Sequence, residues 1–296
     1  MNNNMASTPK INVIAGLDLS EIDEALIQYV KLLSALLPLN KLVFFHNIKQ
    51  SELPEAFKNP DQLNTIANTI KKKLRATIPA LLGDQLDYEI EVSAEDYTEL
   101  SFTQVARRKQ SNLALLGNKQ HLEGNGGLAH KLIRMLPFET LLVPETYNPE
   151  PKKIIEAIDF SKYTPKVMKW GNYIKKHSRL PALSFQPINI SKLSWKFFPG
   201  LSNAEIRKNT QEDLKIKSEK WAKLYPNASP LKVIPAEDKN IASALMYHVK
   251  QEQADLLIMG VQGVTSLTTL FMGSVANEVL YLESNACLLF VKHHIE

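Results

Sequence analysis

Short apolar runs alternate along the chain with stretches whose apolar residues recur every three to four positions. INVIAGL, from Ile11, is such a run, and Ile22, Ala25, Leu26, Tyr29, Val30 and Leu33 then share one helical face, with Ser20 placed to cap it. KLVFFHNI predicts a second strand and the stripe Leu63, Ile66, Ile70, Leu74 a second helix. YEIEVSA, LALLG and TLLVP predict further strands, separated by the helical segments SFTQVARRKQ and GLAHKLIRML. Downstream, KIIEAI, ALSFQPINI, LKVIPA, DLLIMG and CLLFV continue the alternation. Strands that are apolar throughout and separated by helices belong to a parallel sheet covered on both faces. Right-handed crossovers then dictate a doubly wound α/β layout.

The pattern runs twice. KINVIAGLDLSEIDEAL from Lys10 matches KKIIEAIDFSKYTPKVM from Lys152, each an apolar run, an Asp-x-Ser and an amphipathic helix. The aspartates are Asp18 and Asp159. SNLALLGNKQ ends its apolar run at Gly117 and ADLLIMGVQG at Gly260, 99 and 101 residues after the respective aspartates. GGLAHKLI from Gly126 then matches GSVANEVL from Gly273, and each half closes on a strand-like run. Landmarks in one order at one spacing predict tandem domains, 10–146 and 152–296. The polar stretch ETYNPEP, with two prolines, joins them as a stiff linker. Residues 1–9 are expected to be disordered.

Composition narrows the function. Hydrophobic residues make up 44% and charged residues 22%, as in a globular protein. A net charge of +4, without a strong basic stripe, argues against nucleic acid, and Lys71-Lys72-Lys73 with Arg75 reads as a solvated helix face. The single cysteine, Cys287, lies in an apolar run and excludes an internal disulfide. No stretch has the 18 or more apolar residues of a membrane helix and the N-terminus lacks a signal-peptide core, so a cytoplasmic protein with no membrane role is expected. The terminal His293-His294 has no spaced companions, and no metal site is predicted from protein ligands alone.

Candidate chemistry gathers where an open α/β sheet binds ligands, outside the carboxyl ends of its strands at the switch in strand order. Asp159 follows the first strand of the second half and Gly260 ends the fourth. Gly273-Ser274 opens a helix, whose unpaired N–H groups suit phosphate. Asp159 suits ribose hydroxyls or a phosphate-bound Mg²⁺. The plainer alternative makes Gly260 a strand-end turn, Gly273 a packing contact and Ser274 a simple helix cap. Neither a GxxxxGK[ST] loop nor a GxGxxG after the first strand is present.

The spacing Gly-x2-Gly-x9-Gly-Ser, formed by Gly260, Gly263, Gly273 and Ser274 after ADLLIMG, resembles the nucleotide-binding signature of universal stress proteins. KKIIEAIDFS resembles that family's first strand and aspartate, and the resemblance extends over nearly the whole chain as two tandem domains. It implies two five-stranded parallel sheets of adenine nucleotide α-hydrolase-like type, each ordered 3-2-1-4-5, paired as a pseudo-dimer through their last strands and able to form a homodimer. It implies ATP, ADP or AMP as ligand, with Mg²⁺ as companion, in a stress-response role. Ala157 and Asp159 would flank the nucleotide. Met259, Gly260, Gly263, Gly273, Ser274 and Val275 would wrap ribose and phosphates.

The first half departs from the signature. Gln120 replaces the second glycine, Gly127 replaces the serine, and the loop from Gly117 to Gly126 is four residues shorter, so this domain is expected to bind nucleotide weakly or not at all. Its loop, with His121, could hold another anion. In the second half Pro187 falls close to where the family contacts adenine through backbone, and proline has no N–H to offer. The insertion carrying Trp195, Phe197 and Phe198 is expected to pack on its own domain, and Ile206, Leu214, Trp221 and Leu224 mark the next helix as core-facing. No catalytic residue is identifiable, and His248 reads as structural or surface. The alternatives to a nucleotide-binding regulator are a nucleotide-free scaffold and an ATP-splitting enzyme, for which no catalytic lysines can be located.

Overall fold

The computed structural model describes residues 11–83, 86–122, 127–192, 200, 202–236, 239–262 and 272–292. The expectations for residues 1–9, Gly126, Trp195, Phe197, Phe198, Gly263 and His293-His294 lie outside the described residues. The chain divides into two compact units, Met1–Glu145 with His177–Arg179 and Thr146–Lys176 with Leu180–Glu296.

Unit 1 runs β1 (Ile11–Gly16), α1 (Ile22–Leu36), β2 (Leu39–Ile48), α2 (Pro60–Leu82), β3 (Glu89–Ala94), α3 (Thr98–Arg108), β4 (Leu113–Asn118), α4 (Gly127–Met135) and β5 (Glu139–Pro144). Its strands lie side by side as β3-β2-β1-β4-β5, every pair parallel. Unit 2 runs β6 (Lys153–Ala157), α5 (Thr164–His177), β7 (Ser184–Ser191), α6 (Asn203–Leu224), β8 (Lys232–Pro235), α7 (Ile241–Gln251), β9 (Leu256–Gly260), α8 (Ser274–Val279) and β10 (Cys287–Val291). Its order, β8-β7-β6-β9-β10, is the same arrangement, again parallel. In chain order of strands, both sheets read 3-2-1-4-5.

The central strands are apolar because both their faces are covered. Every residue of β5 and β10 is buried, Cys287 among them. Val13, Ile14, Ile155, Leu257 and Phe290 have essentially no exposed surface, and burying each such side chain stabilises the fold by about 1.5–3 kcal/mol. The expected stripe on α2 is present and runs on to Ile78 and Leu82, which seal the core. Asn59 caps α2 by accepting from Gln62 N–H, with Pro60 in the first turn. Asn240 does the same for α7, and Ser202 and Glu205 form a reciprocal capping box on α6.

Ser20 does not cap α1. The cap position is Glu21, and the Ser20 hydroxyl instead donates to Asp18 Oδ1 at 2.5 Å. The β1–α1 turn is tighter than the helical period suggested: Leu19 sits at φ 63°, in the left-handed region. Unit 2 repeats the turn with Phe160 at φ 58°. The units also share backbone ties at the strand ends. Leu17 N–H donates to Phe45 O and Ile158 N–H to Ile188 O, both at 2.8 Å.

Candidate functional site

A cavity of about 380 Å³ opens in unit 2 where β6, β7 and β9 end and α8 begins. Because β6 lies between β7 and β9, the cavity sits at the point where the strand order reverses. Of the residues singled out from sequence, Ala157, Asp159, Met259, Gly260, Gly273, Ser274 and Val275 line it.

Asp159 is exposed on the turn after β6. Its Oδ1 accepts from Ser161 N–H at 2.9 Å and from the Thr164 hydroxyl at 3.2 Å. These bonds hold the carboxylate upright and, among the described residues, leave Oδ2 for a ligand.

The glycines have separate reasons. A Cβ on Gly260 would lie 2.6 Å from Tyr163 Cβ, in the buried residue just before α5, an overlap that side-chain rotation cannot relieve. Gly117 in unit 1 has the same constraint, with Ile22 Cγ1 at 2.6 Å. Gly260 is therefore bare first for its contact with Tyr163, even though it also lines the cavity. Gly273 has φ −64°, which any residue adopts, and its N–H donates to Val261 O at 2.8 Å. That bond closes the loop between β9 and α8 and consumes the Gly273 donor. The first intrahelical donor is Asn277 N–H, to Gly273 O, and the N–H groups before it, those of Ser274, Val275 and Ala276, belong to residues of the cavity wall. Ser274 is not the helix cap of the plainer alternative: Gly273 holds that position, without a side-chain bond.

Pro187 is corrected. It is buried in β7 opposite Glu156 and does not line the cavity; β8 pairs only with Ile188 to Ser191, one residue beyond it. Ile188, Asn189 and Ile190 face the cavity instead. The reading of α6 is corrected too. Trp221 is buried, but Leu224 is 55% exposed, and Lys217 reaches the cavity wall. Lys217 Nζ is held by Asp213 Oδ2 at 2.9 Å and donates to Ser191 Oγ at 2.6 Å. Asp213 lies below the usual carboxylate range: burial pushes it up, but bonds from Lys217 and Ser191 outweigh that.

Several site residues escaped the sequence reading. Gln262 is 4% exposed and accepts from the Tyr163 hydroxyl at 2.8 Å, tying the segment after β9 to the turn that leads into α5. Asn189 is 6% exposed, and its Nδ2 donates to Ile158 O at 2.6 Å. One sequence signal was available for Asn189: a lone polar residue between Ile188 and Ile190 in an apolar strand. Ile241 and Leu245 of α7 complete an apolar wall.

Unit 1 has the corresponding cavity, of about 190 Å³. Phe45 stands where unit 2 has Ile188 and Phe102 where it has Leu245, and the two rings meet edge to face at 5.3 Å. Lys119, at the position of Gln262, pairs with Asp18 Oδ2 at 2.8 Å. Burial pushes the Asp18 carboxyl up, but Lys119 and Ser20 together hold it below its ordinary value. Asp23 accepts from the N–H groups of Asp18 and Leu19, and burial lifts its carboxyl to about 6.

Among the described residues no group of three or more His, Cys, Asp or Glu could hold a metal ion, and no helix is long and apolar enough to cross a membrane. No curated protein matches the chain. Among solved structures, 95% of the chain superposes on 98% of a universal stress protein from Archaeoglobus fulgidus, with a TM-score of 0.69 and 14% identity. A protein of unknown function from Pseudomonas aeruginosa aligns over 96% of this chain and 93% of its own, with a TM-score of 0.61 and 12% identity. Both share the fold. Residues 150–282 match the universal stress protein family model. That match covers unit 2, which carries the sequence pattern of the family.

Proposed function

We propose that unit 2 is an adenine-nucleotide-binding module of a stress-response regulator, and that unit 1 serves as its structural partner. The observation that carries this reading is the 380 Å³ cavity at the switch point, which brings an available Asp159 oxygen together with the opening turn of α8. Its volume falls in the range of small-molecule sites. Phosphates would meet the N–H groups of Ser274 and Val275 and the Ser274 hydroxyl, while ribose hydroxyls would donate to Asp159 Oδ2. The base would lie across β6, between Ile188 and Ile190 of β7 and Ile241 and Leu245 of α7. Asp159 is the one carboxylate among the described lining residues, so a Mg²⁺ ion here would be shared with the nucleotide's phosphates rather than held by the protein alone.

Gly273→Asp tests the reading. The Gly273 backbone, at φ −64°, imposes no strain on a larger residue, and the substitution places a carboxylate at the mouth of α8. Calorimetry with MgATP should show binding to the wild type and at least a tenfold loss in the variant, about 1.4 kcal/mol. No binding to the wild type would overturn the assignment and leave a nucleotide-free scaffold.

A further inference from the structure

Glu145 follows β5 in unit 1, and its carboxylate is turned onto the chain that leaves β4. Gln120 N–H donates to its two oxygens, at 3.2 and 3.1 Å, and His121 N–H donates to Oε1 at 2.6 Å. Successive backbone N–H groups closing on one anion form a nest, the arrangement by which loops bind phosphate and other oxyanions. Burial pushes the Glu145 carboxyl up, but backbone N–H bonds, that of His121 foremost, outweigh this and hold it below its ordinary value. The anion expected near His121 is thus the chain's own.

The nest opens the connection from β4 to α4, the counterpart in unit 1 of the connection from β9 to α8. In unit 2 that connection ends on the N–H groups of Ser274 and Val275, where phosphates are assigned above. Glu145 therefore brings a negative charge to the phosphate end of unit 1, just as Lys119 meets its acidic end and Phe45 and Phe102 fill its apolar end. Gly117 pairs with Val143 and Gly260 with Val291, so counting two residues onward matches Glu145 with His293. The sequence of unit 2 has no carboxylate at that point.

We infer that the loop after β4 is an oxyanion site of phosphate class held shut by Glu145, an autoinhibitory stand-in for a phosphate. Naming the excluded anion as phosphate rests on the nucleotide assignment above; the nest and its occupant do not. An incoming phosphate must displace a carboxylate that already satisfies both donors, and it meets like charge as it approaches. Gln120 is half-buried and His121 exposed, so a dissolved anion reaches their N–H groups once the carboxylate is removed.

The experiment titrates inorganic phosphate and tripolyphosphate into the full chain and follows the backbone amide NMR signals of Gln120 and His121. Wild type, Glu145→Ala and Glu145→Gln are compared. In Glu145→Ala both signals should shift saturably, with affinity at least about tenfold above any wild-type response. Phosphate should also raise the melting temperature of this variant more than that of the wild type. Glu145→Gln keeps an oxygen for the nest but not the charge, and its affinity should fall between the two. If Glu145→Ala does not fold, Glu145→Gln decides: a response no stronger than that of the wild type overturns the inference. Signals that ignore both anions in the folded variants, or that titrate equally in the wild type, overturn it as well. A response at Gln120 and His121 confined to the variants supports it whether or not Ser274 and Val275 respond to tripolyphosphate. Silence at Ser274 and Val275 counts against the nucleotide assignment alone.

Discussion

Unit 1 and unit 2 share strand order, left-handed turns and strand-end ties, yet their switch-point cavities differ twofold, about 190 against 380 Å³. Among the described residues, three side chains account for much of the difference. Phe45 and Phe102 close unit 1's apolar end, and Lys119 occupies its acidic end by pairing with Asp18. Unit 2 has Ile188, Leu245 and Gln262 at those places, and among the described residues no ion pair occupies Asp159. One fold therefore supports a closed, self-satisfied site and an open one.

The largest expected effect bears on what the units share. Gly260→Val should lower the stability of unit 2 by about 3–4 kcal/mol, because its side chain must displace Tyr163, and Gly117→Val should do the same to unit 1 through Ile22. Denaturant titration followed by aromatic fluorescence would measure both. Intact stability in either variant would show that the glycine serves only the cavity.

The next effect belongs to unit 2. Glu156 stands on β6 where unit 1 has Ala15, and Gly171 on α5 where unit 1 has Val30. The glutamate fills the glycine's space: a Cβ on Gly171 would lie 1.8 Å from Glu156 Oε1. Burial lifts this carboxyl from 4.5 to about 7, against a smaller opposing pull from Lys175. In that pH window the unfolded chain has released a proton that the folded chain retains. Stability therefore falls as pH rises from about 4.5 to 7, by up to about 3 kcal/mol, and this contribution is flat above. Transplanting unit 1's pair, Glu156→Ala with Gly171→Val, should remove that slope and raise the melting temperature at pH 8. Melting curves across pH 4.5–8 that keep the wild-type slope would refute this account of Glu156.

Binding separates the units further. Asp159→Ala should weaken MgATP by roughly tenfold, as expected for a lost charged acceptor, whereas Asp18→Ala should leave it unchanged. The smallest effect is that of Lys119→Gln, which makes unit 1 resemble unit 2 at one position. Asp18 remains half exposed, so the lost ion pair should cost under about 1 kcal/mol. Its carboxyl is depressed in the folded wild type, so the lost stability is present above the ordinary carboxylate range and vanishes as pH falls through it. No ATP site should appear in unit 1, because Phe45 and Phe102 still fill the base end.

The fold was legible in the sequence because buried parallel strands must be apolar throughout, and because the doubled pattern fixed their grouping. The turn aspartate and Gly273-Ser274 were legible by spacing. Asn189 and Lys217 were not, because each reaches the cavity from an element whose pattern reads as ordinary packing. Their use depends on which strand ends lie side by side. Gly260 was read for a ligand when its first constraint is Tyr163, a contact between segments nearly 100 residues apart. Glu156 and Gly171 could have been recognised by laying one half over the other, since the gain of a buried acid coincides with the loss of a side chain facing it.

The number of nucleotide sites per chain tests the central claim most directly. Calorimetric titration of the full chain with MgATP should give one site, abolished or strongly weakened by Gly273→Asp and untouched by Asp18→Ala. Two sites, or one site that survives Gly273→Asp and is lost with Asp18, would contradict the assignment of the open cavity to unit 2 and the closed one to unit 1.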